Sequence, residues 1–306
     1  MDITLHIGAH RTGTTSFQTC LRGNLAPLRE QGVDAWGPRL LRSGLFDGLG
    51  GRSVYPRAAA KVQGRVALRL HGTAARGTQT LLVSEENMMG SVRACVRART
   101  LYPDLASRLV RYVDVMHGRV TRIVLNIRAL DLWWASALAY AVSRGQSLPN
   151  RAALEAIAAA PRTWRDVVTD VASAAKGAEV IVVPFERVMG RPSALLRACT
   201  GRDFALEGAD IWCNRAPDVR ALHEELKARG KPATLTEEDG RWRPFTALEA
   251  ALLREAYVDD LAWLSDGADG LATLAENTSR AKDGFSPHAG DMTEGHQDER
   301  EDGRVA

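Results

Sequence analysis

Hydrophobic residues along the chain follow two patterns, short continuous runs and positions spaced three or four residues apart. The continuous runs are rich in Val, Ile and Leu, which predicts buried β-strands; they cover residues 3–8, 80–83, 122–127 and 179–183. The helical spacing predicts α-helices over residues 14–31, 57–70, 103–117, 131–144, 162–176, 193–200, 218–229 and 247–264. The rest of residues 32–79 is rich in Gly and Arg and is predicted to form loops.

Strands that alternate with helices predict an α/β fold. The strands of a parallel sheet are continuously apolar because helices cover both of its faces, and the four runs have this character. We therefore expect a central parallel sheet flanked by helices in three layers. Ligands of such folds bind beyond the carboxyl ends of the strands. Three polar groups follow such ends, at residues 8–15, residues 84–86 and Arg128.

The composition excludes several classes of protein. The chain has 306 residues, of which 45% are hydrophobic and 25% charged, and this is typical of a globular protein rather than a mainly disordered one. No apolar run approaches the ~18–20 residues that span a bilayer, and no signal-peptide pattern opens the chain. The four cysteines are scattered, which disfavours a disulfide framework or a structural zinc site. These features predict a cytoplasmic protein without an integral membrane segment.

Charge is distributed unevenly along the chain. Residues 267–306 contain nine acidic and four basic residues and few large apolar ones, so they cannot bury enough surface to fold. We predict an α/β domain over residues 1–266 and a disordered acidic tail over residues 267–306. In the whole chain, 35 of the 40 basic residues are Arg. This abundance indicates either Arg-rich codon usage or an anionic ligand, and net charge alone does not decide between them.

Residues 8–15, G-A-H-R-T-G-T-T, follow the first predicted strand and open a predicted helix. Gly8, Gly13 and Thr15 fit the nucleotide-binding pattern G-x-x-x-x-G-K-[ST], but Thr14 occupies the lysine position. A strand, a glycine turn and a helix start direct backbone N–H groups and the helix dipole at one point, which predicts an anion site. The lysine that reaches the β- and γ-phosphates of ATP is missing, and Arg11 supplies a different cation.

The same segment resembles the 5′-phosphosulfate loop of sulfotransferases that use 3′-phosphoadenosine 5′-phosphosulfate (PAPS). The resemblance rests on residues 10–15, H-R-T-G-T-T, with arginine where the family usually has lysine. It implies a P-loop-NTPase-like fold and a 5′-phosphosulfate bound by Arg11, Thr12, Gly13, Thr14 and Thr15. It also implies that Arg11 is catalytic, neutralising the charge that develops on the bridging oxygen.

A second motif strengthens the resemblance. Family members carry an Arg at the end of a later strand and a Ser eight residues further on, and both bind the 3′-phosphate of PAPS. Here Arg128 follows the strand at residues 122–127, and Ser136 lies eight residues later. The resemblance extends over roughly residues 2–265, and these two motifs carry its specificity.

The acceptor of a sulfuryl group needs a base, because an alcohol is a poor nucleophile at neutral pH. Glu85 and Glu86 follow the strand at residues 80–83, and family members use His or Glu for this task. Successive side chains of a strand alternate faces, so only one of the two is expected to face the site. The resemblance favours Glu86, with Glu85 second and His10 third. A solvated acidic turn is the alternative interpretation.

Taken together, these features predict a PAPS-dependent sulfotransferase of bacterial type. It would transfer a sulfuryl group to a hydroxyl or amine of a small-molecule or glycan acceptor, without a metal ion and without a nucleic-acid partner. A P-loop kinase or nucleotidase is one alternative, with residues 81–85 as a strand end that holds magnesium. The other is a non-catalytic nucleotide-binding module.

Overall fold

The computed structural model describes residues 1–51, 55–208, 210–231, 235 and 240–275. The strands are β1 Asp2–His6, β2 Val33–Trp36, β3 Thr80–Ser84, β4 Val120–Ile127, β5 Glu179–Pro184 and β6 Thr273–Leu274. The α-helices are α1 Thr14–Gly23, α2 Leu25–Glu30, α3 Pro38–Leu40, α4 Pro56–Ala75, α5 Val92–Ala98, α6 Leu105–Asp114, α7 Leu130–Ser143, α8 Arg151–Ala158, α9 Trp164–Ala174, α10 Phe185–Val188, α11 Pro192–Thr200, α12 Val219–Ala228 and α13 Ala247–Ser265. A π-helical segment, Leu41–Leu45, and two 3₁₀ turns, Glu86–Met88 and Ala268–Gly270, complete the described elements.

The six strands form one sheet in the order β2-β3-β1-β4-β5-β6, and every pairing is parallel. Helices cover both faces of this sheet. The prediction of an α/β, three-layer fold with a central parallel sheet is therefore confirmed, in an arrangement of the P-loop type. Because β1 lies between β3 and β4, the segments that follow these three strands meet at one edge of the sheet.

Alternate residues of the central strands enter two separate hydrophobic cores. Leu5, Leu81 and Leu125 pack on the face covered by α4–α7, α9 and α13. Leu82 and Val124 pack on the opposite face with side chains of α1, α2 and α11. This period of two along each strand is what places helices on both sides. The described helices include none that is long and apolar enough to cross a membrane.

Two predicted elements differ from the structure near the first helix. The helix predicted over residues 14–31 is divided at Asn24, whose side chain donates to the Cys20 carbonyl at 2.8 Å. Pro27 cannot donate an intrahelical hydrogen bond, so a new helix begins around it. The loop predicted over residues 32–79 contains β2, which the pattern missed because its buried Asp34 interrupts a run of only four residues.

The predicted domain boundary at residue 266 is wrong. Strand β6 pairs with β5, with Ile181 opposite Thr273 and Val182 opposite Leu274. The Ala275 N–H also donates to the Val182 carbonyl at 2.8 Å. The folded unit therefore extends to Ala275, because an edge strand needs backbone hydrogen bonds more than large side chains. The remainder of the predicted tail, residues 276–306, lies outside the described residues.

Candidate anion-binding site

The loop between β1 and α1 presents a row of backbone donors. The Ile7 and Ala9 N–H groups still pair with β4, and the chain then turns through Arg11 and Gly13, which have positive φ values of 67° and 75°. The Phe17 N–H is the first of α1 to bond a carbonyl, that of Gly13. Among the described residues, the N–H groups of residues 11–16 have no acceptor. Donors left free at a helix start and a left-handed turn form a concavity that binds anions.

Both glycines of the loop are required by the space around them. A Cβ on Gly8 would lie 2.8 Å from Nε2 of His6 and 3.0 Å from Oδ1 of Asn126, so only glycine fits. Gly13 has a positive φ, and a Cβ there would lie 3.1 Å from the ring of Phe185. The loop is therefore pressed between β4 and the segment that follows β5.

The three loop threonines have different surroundings. The Thr12 hydroxyl donates to the Ala9 carbonyl at 2.6 Å and closes the turn. The Thr15 hydroxyl accepts from the Asn214 side chain at 3.1 Å. The buried Thr14 hydroxyl has no partner in the described part of the chain. Thr14 occupies the lysine position of the nucleotide-binding pattern, so its free hydroxyl faces the loop with hydrogen-bonding capacity unused.

Arg11 folds back against α7 and is half-buried. Its Nε donates to the Ser136 hydroxyl at 3.0 Å, and its guanidinium lies 5.1 Å from the ring centre of Tyr140. Burial lowers the pKa of Arg11. The structure thus brings Arg11 and Ser136 into direct contact.

Arg128 lies on the other side of the same loop. Its Nη1 donates to the Arg11 carbonyl at 2.9 Å, and its guanidinium lies 5.1 Å from the ring centre of Phe185. Burial, reinforced by the positive charge of Arg241, lowers the pKa of Arg128 to about 10. Its Nε is buried and has no partner among the described residues. Arg128 and Ser136 therefore both contact Arg11, Arg128 at its carbonyl and Ser136 at its Nε, and their binding of one phosphate stays a prediction.

The charges of Glu186 and Asp131 act on Arg128 and partly offset the lowering of its pKa. Within the described ranges, neither Arg11 nor Arg128 forms an ion pair with a carboxylate. Arg241, which follows a segment without a recognisable motif, adds a third positive charge near Arg128. The sequence reasoning missed Arg241, because only the fold brings residues 240–245 to this edge of the sheet.

Glu85 and Glu86 differ from their predicted arrangement. Arg42 donates from Nη2 to Oε1 of Glu85 at 2.6 Å and to Oε1 of Glu86 at 2.9 Å. The argument that only one carboxylate faces inward fails, because β3 ends at Ser84 and a 3₁₀ turn begins at Glu86. Glu85 is almost fully buried, and its remaining contacts are to Nε of Arg42 and the Asn87 N–H.

Glu86 is the carboxylate nearer the loop residues. Gln18 of α1 donates to its Oε2 at 3.0 Å. Burial alone would raise the pKa of Glu86, but hydrogen bonds from its own backbone and from Gln18, with the charges of His10 and Arg42, lower it overall. The carboxylate is therefore ionised at neutral pH, and its lowered pKa makes it a weaker base than an ordinary glutamate.

His10 is held as a neutral ring. Its Nδ1 lies 3.1 Å from the Tyr102 hydroxyl, and its Nε2 lies 3.3 Å from the Asn87 side-chain amide. Burial lowers the pKa of His10. Since both ring nitrogens have partners, the geometry indicates that His10 orients the loop.

An apolar groove adjoins the loop on the side of α11. Gly13, Phe17, Phe185, Leu195, Ile211 and Trp212 line it. Its enclosed volume is about 40 Å³, little more than one water molecule. Ile211 and Trp212 are each 43% exposed, so the outer wall of the groove is made of side chains that have room to move.

No protein-family model, curated protein or solved structure matches the chain. In the described part of the chain, no group of three or more His, Cys, Asp and Glu side chains is arranged to hold a metal ion.

Proposed function

We propose that the protein is a PAPS-dependent sulfotransferase. The observation that carries the proposal is the row of unpaired N–H groups at residues 11–16, flanked by Arg11 and Arg128 without carboxylate partners. Free backbone donors suit a 5′-phosphate or sulfate, and a separate pair of arginines suits a second phosphate on the same ligand. PAPS carries its anionic groups in this distribution, whereas ATP carries them in a single chain.

Different residues would bind the two anionic groups of PAPS. Backbone N–H groups of Thr12, Gly13, Thr14 and Thr15 hold the 5′-phosphosulfate, and the free Thr14 hydroxyl adds a donor. Arg128 and Ser136 bind the 3′-phosphate, and Arg241 adds positive charge there. Arg11 contacts Ser136 and lies at the loop, so one cation serves both anionic groups.

The transfer step would be an in-line displacement. The acceptor oxygen or nitrogen attacks sulfur, and the bond between sulfur and the bridging oxygen breaks. Its electron pair leaves with the 5′-phosphate, where Arg11 stabilises the developing charge. Glu86 takes the proton of the acceptor, and Gln18 and Arg42 hold its carboxylate toward the loop. The proton of the acceptor thus ends on Glu86, and the electron pair of the broken bond ends on the 5′-phosphate.

The adenine ring would occupy the groove beside Gly13. Phe185 and Trp212 offer aromatic faces for stacking, which is how proteins hold bases without hydrogen-bond readout. Trp212 and Ile211 form the exposed outer wall of this groove, so nucleotide binding there should change the Trp212 fluorescence.

The test is calorimetry with adenosine 3′,5′-bisphosphate, adenosine 5′-phosphate and ATP in EDTA, together with release of labelled sulfate from PAPS. We expect the bisphosphate to bind roughly 10–100-fold more tightly than the monophosphate, because one additional charge-assisted hydrogen bond gives an affinity difference of this size. Equal affinities for these two nucleotides would contradict the proposal. Tight bisphosphate binding with no sulfate release or transfer would support the non-catalytic alternative.

The kinase alternative is disfavoured by one specific arrangement. A strand-end carboxylate that holds magnesium needs free oxygens, but both oxygens of Glu85 accept hydrogen bonds from Arg42. Tight ATP binding in a second calorimetric series, with magnesium in place of EDTA, would restore this alternative.

A further inference from the structure

We infer that two buried tryptophans, Trp133 and Trp164, are positioning residues that separately align the two anion-binding loops. The inference rests on the proposed function and adds residues that neither the motifs nor the proposed chemistry assign. Trp133 acts on the loop that follows β1, and Trp164 acts on Arg128. Each indole therefore serves a different phosphate of the nucleotide.

The contacts are short, and they come from two buried indoles. Trp133 Nε1 donates to the His10 carbonyl at 2.7 Å, and Trp164 Nε1 donates to the Arg128 carbonyl at 2.7 Å. Neither tryptophan exposes any surface. Without the indole, each carbonyl would lose this hydrogen bond.

The peptide geometry explains how Trp133 acts on ligand binding through the backbone. The His10 carbonyl and the Arg11 N–H belong to one planar trans peptide group, in which they point in opposite directions. By holding the carbonyl toward the core, Trp133 turns the Arg11 N–H outward into the row of free donors. The Tyr102 hydroxyl accepts from the preceding His10 N–H at 2.9 Å, so the loop is held on both sides of this residue.

Trp164 holds a different peptide group, the one between Arg128 and Ala129. Its carbonyl accepts from Trp164, and its N–H donates to Oε1 of Glu186 at 3.0 Å. Both ends of this group are therefore occupied, and none of it is left for a ligand. Its fixed plane instead determines the direction in which the Arg128 side chain leaves the backbone.

The two tryptophans belong to one aromatic cluster. The rings of Trp133 and Trp164 are 5.9 Å apart and perpendicular, and that of Tyr102 lies 5.8 Å from Trp133 and 6.4 Å from Trp164. The Trp164 backbone is fixed in turn by Asp260 of α13, which accepts its N–H at 2.9 Å. A single rigid cluster thus sets the spacing between the loop and Arg128.

Replacement by phenylalanine tests the inference, because it keeps an aromatic ring and removes the indole N–H. Trp36→Phe is the matched control, since Trp36 is 2% exposed and its Nε1 has no partner in the described chain. Calorimetry with adenosine 3′,5′-bisphosphate and adenosine 5′-phosphate is the measurement. Trp164→Phe should lower the affinity for the bisphosphate about 3–10-fold and leave the affinity for the monophosphate unchanged. Trp133→Phe should lower the affinity for both nucleotides by that factor. Trp36→Phe should change neither affinity.

The pattern across nucleotides separates positioning from general destabilisation. Equal losses for both nucleotides in Trp164→Phe, or the same losses in Trp36→Phe, would overturn the inference. Unchanged affinities in both test variants would overturn it as well. If the unmodified protein binds neither nucleotide, the proposed function fails. The inference is then judged from indole ¹⁵N–¹H spectra with inorganic phosphate, which should shift the Trp133 signal and not that of Trp36.

Discussion

The loop that follows β1 and the turn that follows β3 are neighbours at one edge of the sheet, but they differ in whether their polar groups have hydrogen-bond partners. In the loop, the N–H groups of residues 11–16 have no acceptor among the described residues. In the turn, the carboxylate oxygens of Glu85 and Glu86 all accept hydrogen bonds from Arg42, Gln18 or backbone. One region therefore has unused capacity for an anion, and the other is satisfied by the protein itself.

The arginines of the two regions show the same contrast. The hydrogen bonds that Arg42 donates to Glu85, with the charges of both glutamates, raise the pKa of Arg42. Burial without a carboxylate partner lowers the pKa of Arg128 to about 10. A desolvated, unpaired cation is unfavourable for folding unless it serves a ligand. The difference indicates that the loop and Arg128 are organised for binding, whereas Arg42 organises the turn.

Replacing the ionised carboxylate nearest the loop should give the largest effect. Glu86→Gln keeps the shape and removes the basicity, so sulfuryl transfer should fall by about 10²–10⁴, the range for loss of a general base. Affinity for adenosine 3′,5′-bisphosphate should be unchanged. Glu85→Gln is the control, and we expect it to retain most of the turnover. If Glu85→Gln were the inactive variant, the assignment of the two carboxylates would be reversed.

Arg11→Ala should have the next largest effect. Loss of a preorganised charge at the bridging oxygen is expected to lower turnover by about 10²–10³. Arg144→Ala is the matched control, because Arg144 lies 5.4 Å from the same Tyr140 ring and is exposed. Steady-state rates of sulfate release from labelled PAPS provide the measurement. Equal rates in Arg11→Ala and the unmodified protein would remove Arg11 from the chemistry.

His6 lies beneath both regions, and its protonation should make the stability of the fold depend on pH. Its Nδ1 contacts the Ser84 hydroxyl at 2.8 Å, its Nε2 contacts Oδ1 of Asn126 at 2.9 Å, and burial lowers its pKa to about 4. The unfolded chain therefore binds a proton more readily, and stability is lost as the pH falls from about 6.5 to about 4. Urea titrations at a series of pH values should show that the unfolding free energy falls by about 3 kcal/mol in total over this range.

A histidine replacement checks the source of that pH dependence. His6→Gln should flatten the acid limb of the stability curve, whereas exposed His117→Gln should leave it unchanged. An equally steep limb in His6→Gln would assign the pH dependence to other groups.

Arg128→Met separates binding from stability. Affinity for the bisphosphate should fall by roughly one to two decades, because a charge-assisted contact is lost. The midpoint of thermal unfolding should stay constant or rise, since a desolvated and unpaired charge is replaced by an apolar side chain of similar length. A marked fall in the unfolding midpoint would show that Arg128 is structural.

Arg42→Met should have the smallest effect of these substitutions. In contrast to Arg128→Met, it should lower stability and leave nucleotide affinity unchanged. It leaves Glu85, which is 3% exposed, without its cation, and the unfolding free energy should fall by about 1–3 kcal/mol. Nucleotide affinity should be retained. Arg39→Met, an exposed position in the same segment, is the control for both measurements. A large loss of nucleotide affinity in Arg42→Met would contradict the contrast between the two regions.

Much of the fold could be predicted from local patterns. The four longest strands and the loop from Gly8 to Thr15 were located correctly, because apolar runs and glycine turns are encoded within a few neighbouring residues. Strands β2 and β6 were missed, because both are short and depend on pairing with β3 and β5. The domain boundary was misplaced for the same reason.

The sequence by itself therefore determined the α/β class, the position of the loop between β1 and α1 and the residue types in it. Only the tertiary structure decided which polar groups are neutralised and which are left for a ligand. Arg42 is 43 residues from Glu85 in the chain and Arg128 is 117 residues from Arg11, yet each pair is in contact. Charge compensation depends on distance and burial in space, and no local pattern of residues contains either quantity.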